Sequence, residues 1–115
     1  MNIEDIREYC LTKRAVSEDF PFDEETLTFK VLGKIFLITS LDSIELSINL
    51  KCDPDKAIDL RENHACVKPG YHMNKKHWNT VDINGELSDR LIYELIDHSY
   101  DLVVKGLPKS KQAEL

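Results

Sequence analysis

Hydrophobic residues near the N-terminus recur at helical spacing, with acidic residues between them. The apolar side chains on one face are Ile3, Ile6, Cys10 and Leu11. Asn2 is placed to cap this helix, and Asp5 occupies the position that a capping box uses. We expect the helix to end near Arg14. The acidic, proline-containing segment 17–25 then predicts an irregular or edge connection.

From Leu27 the pattern changes to the short runs typical of strands. LTFKVL and IFLITS are separated by Gly33-Lys34, which predicts a two-residue hairpin turn with glycine first. The next run, IELSINL, alternates apolar and polar positions, so one half of its side chains should point inward. The inward set is Ile44, Leu46, Ile48 and Leu50. Residues 27–50 therefore predict an antiparallel meander.

The second half of the chain predicts a helix, two strands and a long final helix. Asp53 caps the short helix and Pro54 is its first residue. Strands follow at residues 66–67 and 77–83, with a turn at Pro69-Gly70 between them. Ser88 caps the last helix, whose end is marked by glycine and proline. We predict an α+β fold, a single domain over residues 1–109 with the N-terminal and C-terminal helices on one face of an antiparallel sheet, and a flexible tail over 110–115.

Length and composition limit the class of protein. A chain of 115 residues with 42% hydrophobic residues is enough for one packed core. No apolar run approaches the roughly 20 residues of a membrane span. The acidic N-terminus does not resemble a secretion signal, and the three cysteines include no closely spaced pair. We expect a cytoplasmic protein, a monomer, without a membrane partner.

The charge is unevenly distributed. The chain has a net charge of −6, but residues 67–81 carry three lysines, two histidines and the single tryptophan, with no acidic residue. The alternation over residues 77–83 directs Asn79, Val81 and Ile83 toward the core with His77, and Trp78 toward the other face. Because tryptophan is usually largely buried, packing of Trp78 under the last helix or beneath the 69–74 loop is the favoured alternative. A basic, aromatic, partly exposed surface is suited to contact phosphates and to stack a base.

Other chemistries have weaker signals. His72 and His77, with four residues between them, fit the spacing of a zinc-ligand pair, but nothing places them on a common face. No closely spaced cysteine pair completes a set of four ligands with them; the other candidates are His64, Cys52 and Cys66. Cys52 precedes a helix N-terminus, where thiolate is favoured, but no general base accompanies it. The acidic N-terminal region suits weak binding of a hard cation. No phosphate-loop motif occurs. We therefore expect no enzyme activity, no cofactor and no metal.

Several blocks of the sequence, in order over nearly the whole chain, resemble the MmcQ/YjbR family of small bacterial proteins. They are FKVLGKIF at 29–36, NLKCDP at 49–54, KPGYHMNKKHWNTV at 68–81 and LIDHSYDLVVKGLPK at 95–109. The resemblance implies a frataxin/CyaY-like architecture, with helices on one face of an antiparallel sheet. It also implies DNA binding through a "double wing" of two β-hairpins.

Carried over to this chain, the two wings are the hairpin around Gly33-Lys34 and the segment from Lys68 to Trp78. The expected nucleic-acid-binding residues are Lys30, Lys34, Lys68, Tyr71, His72, Lys75, Lys76, His77 and Trp78. Three alternatives remain open. They are a small-molecule or anion-binding pocket that holds Tyr71, His72 and Trp78, a frataxin-like metal-binding protein, and a structural role in which PGYHMNKKHW fixes a turn and closes the sheet edge.

Overall fold

A computed structural model describes residues 1–70 and 73–115 of the chain. Its strands form one antiparallel sheet in the order β1-β2-β3-β4-β6-β5. In chain order the elements are α1 (Ile3–Leu11), β1 (Val16–Asp19), β2 (Thr26–Val31), β3 (Lys34–Ser40), β4 (Ser47–Lys51), α2 (Pro54–Asn63), β5 (Val67–Pro69), β6 (Trp78–Asp82), α3 (Asp89–Lys105) and α4 (Lys109–Gln112).

The helices cover one face of this sheet and bury the core against it. The fully buried side chains come from both layers, and they include Ile6, Cys10, Phe29, Val31, Leu37, Ile48 and Ile96. The other sheet face carries no helix of the described chain. The predicted α+β architecture, a single domain with helices on one face of an antiparallel sheet, is confirmed. No helix formed by residues 1–70 or 73–115 is long and apolar enough to cross a membrane.

The predicted helix starts are also confirmed. Asn2 and Asp5 form a reciprocal capping box, in which each side chain accepts a hydrogen bond of 3.0 Å from the other residue's backbone N–H. Asp53 caps α2 ahead of Pro54, and the Ser88 hydroxyl accepts from the backbone of α3. These local signals act within four residues, so sequence alone identifies them.

Three sequence predictions about the strands and turns were wrong. Segment 17–25 is partly strand, because Val16–Asp19 pairs with β2 as an edge strand. The hairpin turn is Leu32-Gly33, one residue earlier than predicted, and both residues have positive φ (48° and 84°). This is the conformation that matches strand twist in a two-residue hairpin. Ile44 does not point inward; it precedes β4 and is fully exposed.

The C-terminal segment has more structure than the predicted tail. Residues Lys109–Gln112 form the short helix α4. Leu115 packs against the core, and its backbone oxygen accepts a hydrogen bond of 2.6 Å from the Arg14 guanidinium. The last residues therefore contact the opposite end of the chain.

A β-bulge in β3 is held by a side chain from α3. The pairing steps from Phe29↔Leu37 to Lys30↔Ile35, so Phe36 has no residue opposite it. The hydroxyl of the fully buried Ser99 donates to the Phe36 carbonyl (2.6 Å) and accepts from the Lys51 backbone N–H (2.9 Å). One hydroxyl thus satisfies two backbone groups and joins α3 to β3 and β4.

Candidate nucleic-acid interface

The uncovered face of the sheet presents polar side chains from its central strands. Asn49 and Lys51 alternate with buried residues along β4, and their partners across the ladder are Thr80 and Trp78. The Thr80 hydroxyl donates a 2.6 Å hydrogen bond to the Asn49 side-chain oxygen. Trp78 therefore lies beside Lys51 on this face, as the alternation of residues 77–83 predicted.

Lys34 and Lys51 share a groove with Trp78 at the end of the sheet where β3 and β6 begin. The groove has a volume of about 270 Å³, and its other wall is formed by Val103 near the end of α3 and by Gly106 and Leu107, which follow the helix. The structure thus brings together one residue from each of the two predicted wings, Lys34 and Trp78. The C-terminal end of α3 carries partial negative charge, which favours cations and opposes an anion at that wall of the groove.

Lys51 was missing from the residues predicted from sequence, although the pattern contained a signal for it. Residues 45, 47 and 49 were assigned to the outward face, and position 51 continues the same alternation. The ladder then sets Lys51 opposite Trp78.

Lys30 and Lys68 already hold ion pairs. The Lys30 ammonium lies 3.0 Å from an Asp19 carboxylate oxygen, and that of Lys68 lies 2.8 Å from Asp82. A phosphate at either position must compete with a carboxylate. Neither lysine is among the described residues that line the groove of Lys34, Lys51 and Trp78.

A second groove crosses the same face of the sheet. Its floor contains Thr26, Ile38 and Asn49, and its walls include Phe22 and Met73, with a volume of about 390 Å³. Phe22 is 66% exposed. Asn49 belongs to this floor and neighbours Lys51 along β4. The two grooves therefore follow one another across the uncovered sheet.

The loop between β5 and β6 is held to its surroundings by backbone hydrogen bonds. The N–H groups of His77 and Trp78 both donate to the Asn74 carbonyl (3.1 and 2.9 Å), and the Cys52 N–H donates to the His77 carbonyl (2.7 Å). The Arg61 guanidinium donates to the Lys75 carbonyl (3.3 Å). Lys75 and Lys76 are exposed, and His77 is half-buried. Tyr71 and His72, which were predicted to complete this surface, lie outside the described residues.

Gly70 is in close contact with Trp78. Its N–H donates to the Trp78 carbonyl (2.9 Å), and a Cβ added to Gly70 would lie 3.0 Å from the Trp78 Cβ and 3.1 Å from its carbonyl oxygen. At this position glycine is required by space rather than by a positive φ. The contact gives part of the PGYHMNKKHW motif a structural role, as one of the alternatives from sequence proposed.

We expect Gly70→Ala to separate the two strands at this point and to move Trp78. Overpacking of this kind costs about 1–3 kcal/mol of the free energy of unfolding. Urea unfolding followed by tryptophan emission measures both the loss of stability and the change around the indole. Gly106→Ala is the control, because a Cβ there meets its nearest atom at an ordinary 3.5 Å. Equal effects of the two substitutions would contradict the packing argument.

Metal binding and thiol chemistry gain no support from the described residues. Within residues 1–70 and 73–115, no group of three or more His, Cys, Asp and Glu side chains is placed to hold a metal ion. Cys52 is 4% exposed, and burial raises the pKa of its thiol, which opposes a role as nucleophile. Burial likewise lowers the pKa of His98, whose Nε2 accepts a 3.1 Å hydrogen bond from the Asp53 N–H.

The fold and the site together define a class: small α+β domains with helices on one face of an antiparallel sheet and an uncovered, locally basic second face. Residues 11–102 match the family model YjbR, and the chain belongs to the YjbR family. It is 45% identical over 93 residues to "uncharacterized protein YbdF" of Escherichia coli, which covers 81% of this chain and 76% of that protein. It is 34% identical to "uncharacterized protein YjbR" of Escherichia coli over 112 residues, or 97% and 95% of the two chains.

A solved structure shares the whole fold. The crystal structure of Deinococcus radiodurans protein DR2400, which contains a domain named DUF419, matches with a TM-score of 0.92 and 40% sequence identity. The match covers 98% of this chain and 86% of that one. The family resemblance drawn from the sequence blocks is confirmed by these comparisons.

Proposed function

We propose that the uncovered face of the sheet binds DNA. In this proposal the ammonium groups of Lys34, Lys51, Lys75 and Lys76 contact phosphates, and the ring of Trp78 stacks on a base. The observation that supports it best is the convergence of Lys34, Lys51 and Trp78 on one groove. Lysines beside an accessible aromatic ring on a sheet form the combination that binds a nucleic-acid strand without reading its sequence.

Single-stranded DNA fits this surface better than a duplex. The groove with Phe22 and Met73 on its walls adjoins the Trp78 site and offers apolar surface for unstacked bases. The described helices pack their apolar faces on the sheet, so none extends outward as a major-groove recognition helix would. The proposed contacts are to phosphates and base faces, which predicts weak sequence preference. The proposal includes no catalytic step.

Salt dependence provides the test, with Trp78 as the probe because it is the only tryptophan of the chain. Four phosphate contacts to a single strand give a slope of about −3 in log K against log salt. Affinity should therefore fall roughly 50-fold between about 50 and 200 mM salt. The measurement is a titration of Trp78 fluorescence with oligothymidine and with a duplex of the same length.

A saturable change that prefers the single strand and weakens with this slope supports the proposal. A flat titration of both DNA forms at low salt contradicts it. Tight binding without salt dependence contradicts the phosphate contacts. It would favour the grooves as a site for a small molecule.

A further inference from the structure

An exposed apolar surface lies at the end of the sheet opposite Lys34 and Trp78. Its most prominent side chains are Ile44, which is 104% exposed, and Phe20 and Leu41, each 45% exposed. We call these three residues, together with Ile3, the apolar end surface. Ile44 and Leu41 come from the turn between β3 and β4, and Phe20 follows β1. Three segments that are distant in sequence thus contribute to one patch.

The patch is continuous and concave. One groove, of about 290 Å³, is lined by Met1, Ile3, Leu41, Ile44 and Leu46 among others. A neighbouring groove, of about 400 Å³, is lined by Ile3, Phe20, Leu27 and Leu41 together with charged residues. Ile3 and Leu41 belong to both grooves, so the two form one depression. Contiguous exposed apolar surface of this kind marks interaction sites in monomeric domains.

The rim of the depression is acidic. Glu4, Glu18 and Asp19 line the second groove, where Arg7 is the only basic residue among the lining residues the structure describes. Two of these carboxylates are already paired: the Arg7 guanidinium makes hydrogen bonds of 2.7 and 2.8 Å to the two carboxylate oxygens of Glu18, and the Lys30 ammonium lies 3.0 Å from Asp19. A lysine of a partner would compete with them at Glu18 and Asp19, whereas Glu4 belongs to neither of these pairs.

A pair of carboxyl groups lies beside Leu41. The Leu41 N–H donates to the Glu25 carbonyl (2.8 Å), and a hydrogen bond with the Asp42 side chain raises the pKa of the Glu25 carboxyl. Two neighbouring carboxylates repel one another, and a positive charge beside them would relieve that repulsion. The charge next to the apolar residues is therefore complementary to lysine or arginine.

We infer that the apolar end surface docks a protein segment that is both apolar and basic, such as an amphipathic helix with leucines on one side and lysines on the other. The depression accepts the apolar side chains, and the acidic rim pairs with the lysines. A nucleic acid or an anionic membrane is repelled by the same rim. A second copy of this chain would bring one acidic rim against another. The inference does not depend on DNA binding at Lys34, Lys51 and Trp78, which lie at the other end of β3, roughly 20 Å away. The groove with Phe22 and Met73 is closer, since Ser40 lines both it and the first groove of the apolar end surface.

The test uses a fluorescein-labelled 14-residue peptide of leucine and lysine in an amphipathic helical pattern, followed by fluorescence anisotropy. Ile44→Lys is expected to weaken binding at least tenfold, since it removes a large apolar contact and adds a like charge. Ile58→Lys is the matched control, because Ile58 is also exposed (51%) but lies on α2, and the change in net charge is identical. It should change the affinity less than twofold. Both variants should keep the melting temperature of the natural chain, because neither side chain is buried.

Three results would overturn the inference. The first is equal binding by the two variants, which would show only a general attraction between opposite charges. The second is equal binding of a peptide in which glutamate replaces every lysine. The third is a concentration-dependent dimer in sedimentation that Ile44→Lys abolishes, which would make a second copy the occupant of the surface.

Discussion

Ser99→Ala is expected to lower the free energy of unfolding by about 2–4 kcal/mol. The substitution removes one hydroxyl but leaves two buried backbone groups without a partner, the Phe36 carbonyl and the Lys51 N–H. The bulge already deprives Phe36 of a residue opposite it in the ladder, so no strand replaces the lost bond. A buried group that loses its partner retains its full cost of desolvation. The change in volume is small, and the effect is therefore one of hydrogen bonding.

Urea unfolding of the natural chain and the variant measures this loss. Ser43→Ala is the control, because Ser43 is exposed in the turn between β3 and β4, and its effect should stay within about 0.5 kcal/mol. A loss for Ser99→Ala no larger than that of the control would show that α3 and the bulge do not depend on this hydroxyl.

The double variant Lys34→Glu/Lys51→Glu is expected to abolish most DNA binding. Two phosphate contacts are lost, so the salt slope on a single strand should fall in magnitude by about 1.4 units, about 0.7 for each lysine. The introduced carboxylates also repel phosphates, and the loss of affinity should be largest at low salt. Both side chains lie at the groove of Trp78, so the fluorescence of Trp78 should no longer change when oligothymidine is added.

A matched single substitution separates this local effect from a change in overall charge. Arg90→Glu alters the net charge by the same amount as Lys51→Glu, but Arg90 lies near the start of α3 in the helical layer, with its side chain 89% exposed. We expect Arg90→Glu to leave the salt slope unchanged and Lys51→Glu to reduce its magnitude by about 0.7 units. Equal losses in the two variants would contradict a defined phosphate surface.

Local sequence signals predicted much of this fold. The capped helices and the β2–β3 hairpin depend on residues close together in the chain. The edge strand β1 was missed because its four residues, Val16–Asp19, include only one apolar side chain. Its strand conformation comes from pairing with β2 and from the Arg7–Glu18 ion pair. The turn was displaced because Leu32 adopts a positive φ, which is uncommon for a residue with a bulky side chain.

The site was predicted less completely, because tertiary structure brings its residues together from distant parts of the sequence. Sequence alternation set Trp78 on the uncovered face, but only the ladder between β4 and β6 makes Lys51 its neighbour. The ion pairs of Lys30 and Lys68 join residues 11 and 14 positions apart, which strand pairing brings together. The number of lysines in a stretch of sequence therefore overstates how many of them are available to a phosphate.

The central claim is that the uncovered sheet face contacts DNA, and amide chemical-shift mapping tests it most directly. ¹⁵N-labelled protein is titrated with oligothymidine at low salt. The account predicts shifts at the backbone amides of Lys34, Lys51 and Lys76 and at the indole N–H of Trp78, with α1 and the first turns of α3 unchanged. Shifts confined to the helical face, or none at a DNA concentration above that of the protein, would contradict it.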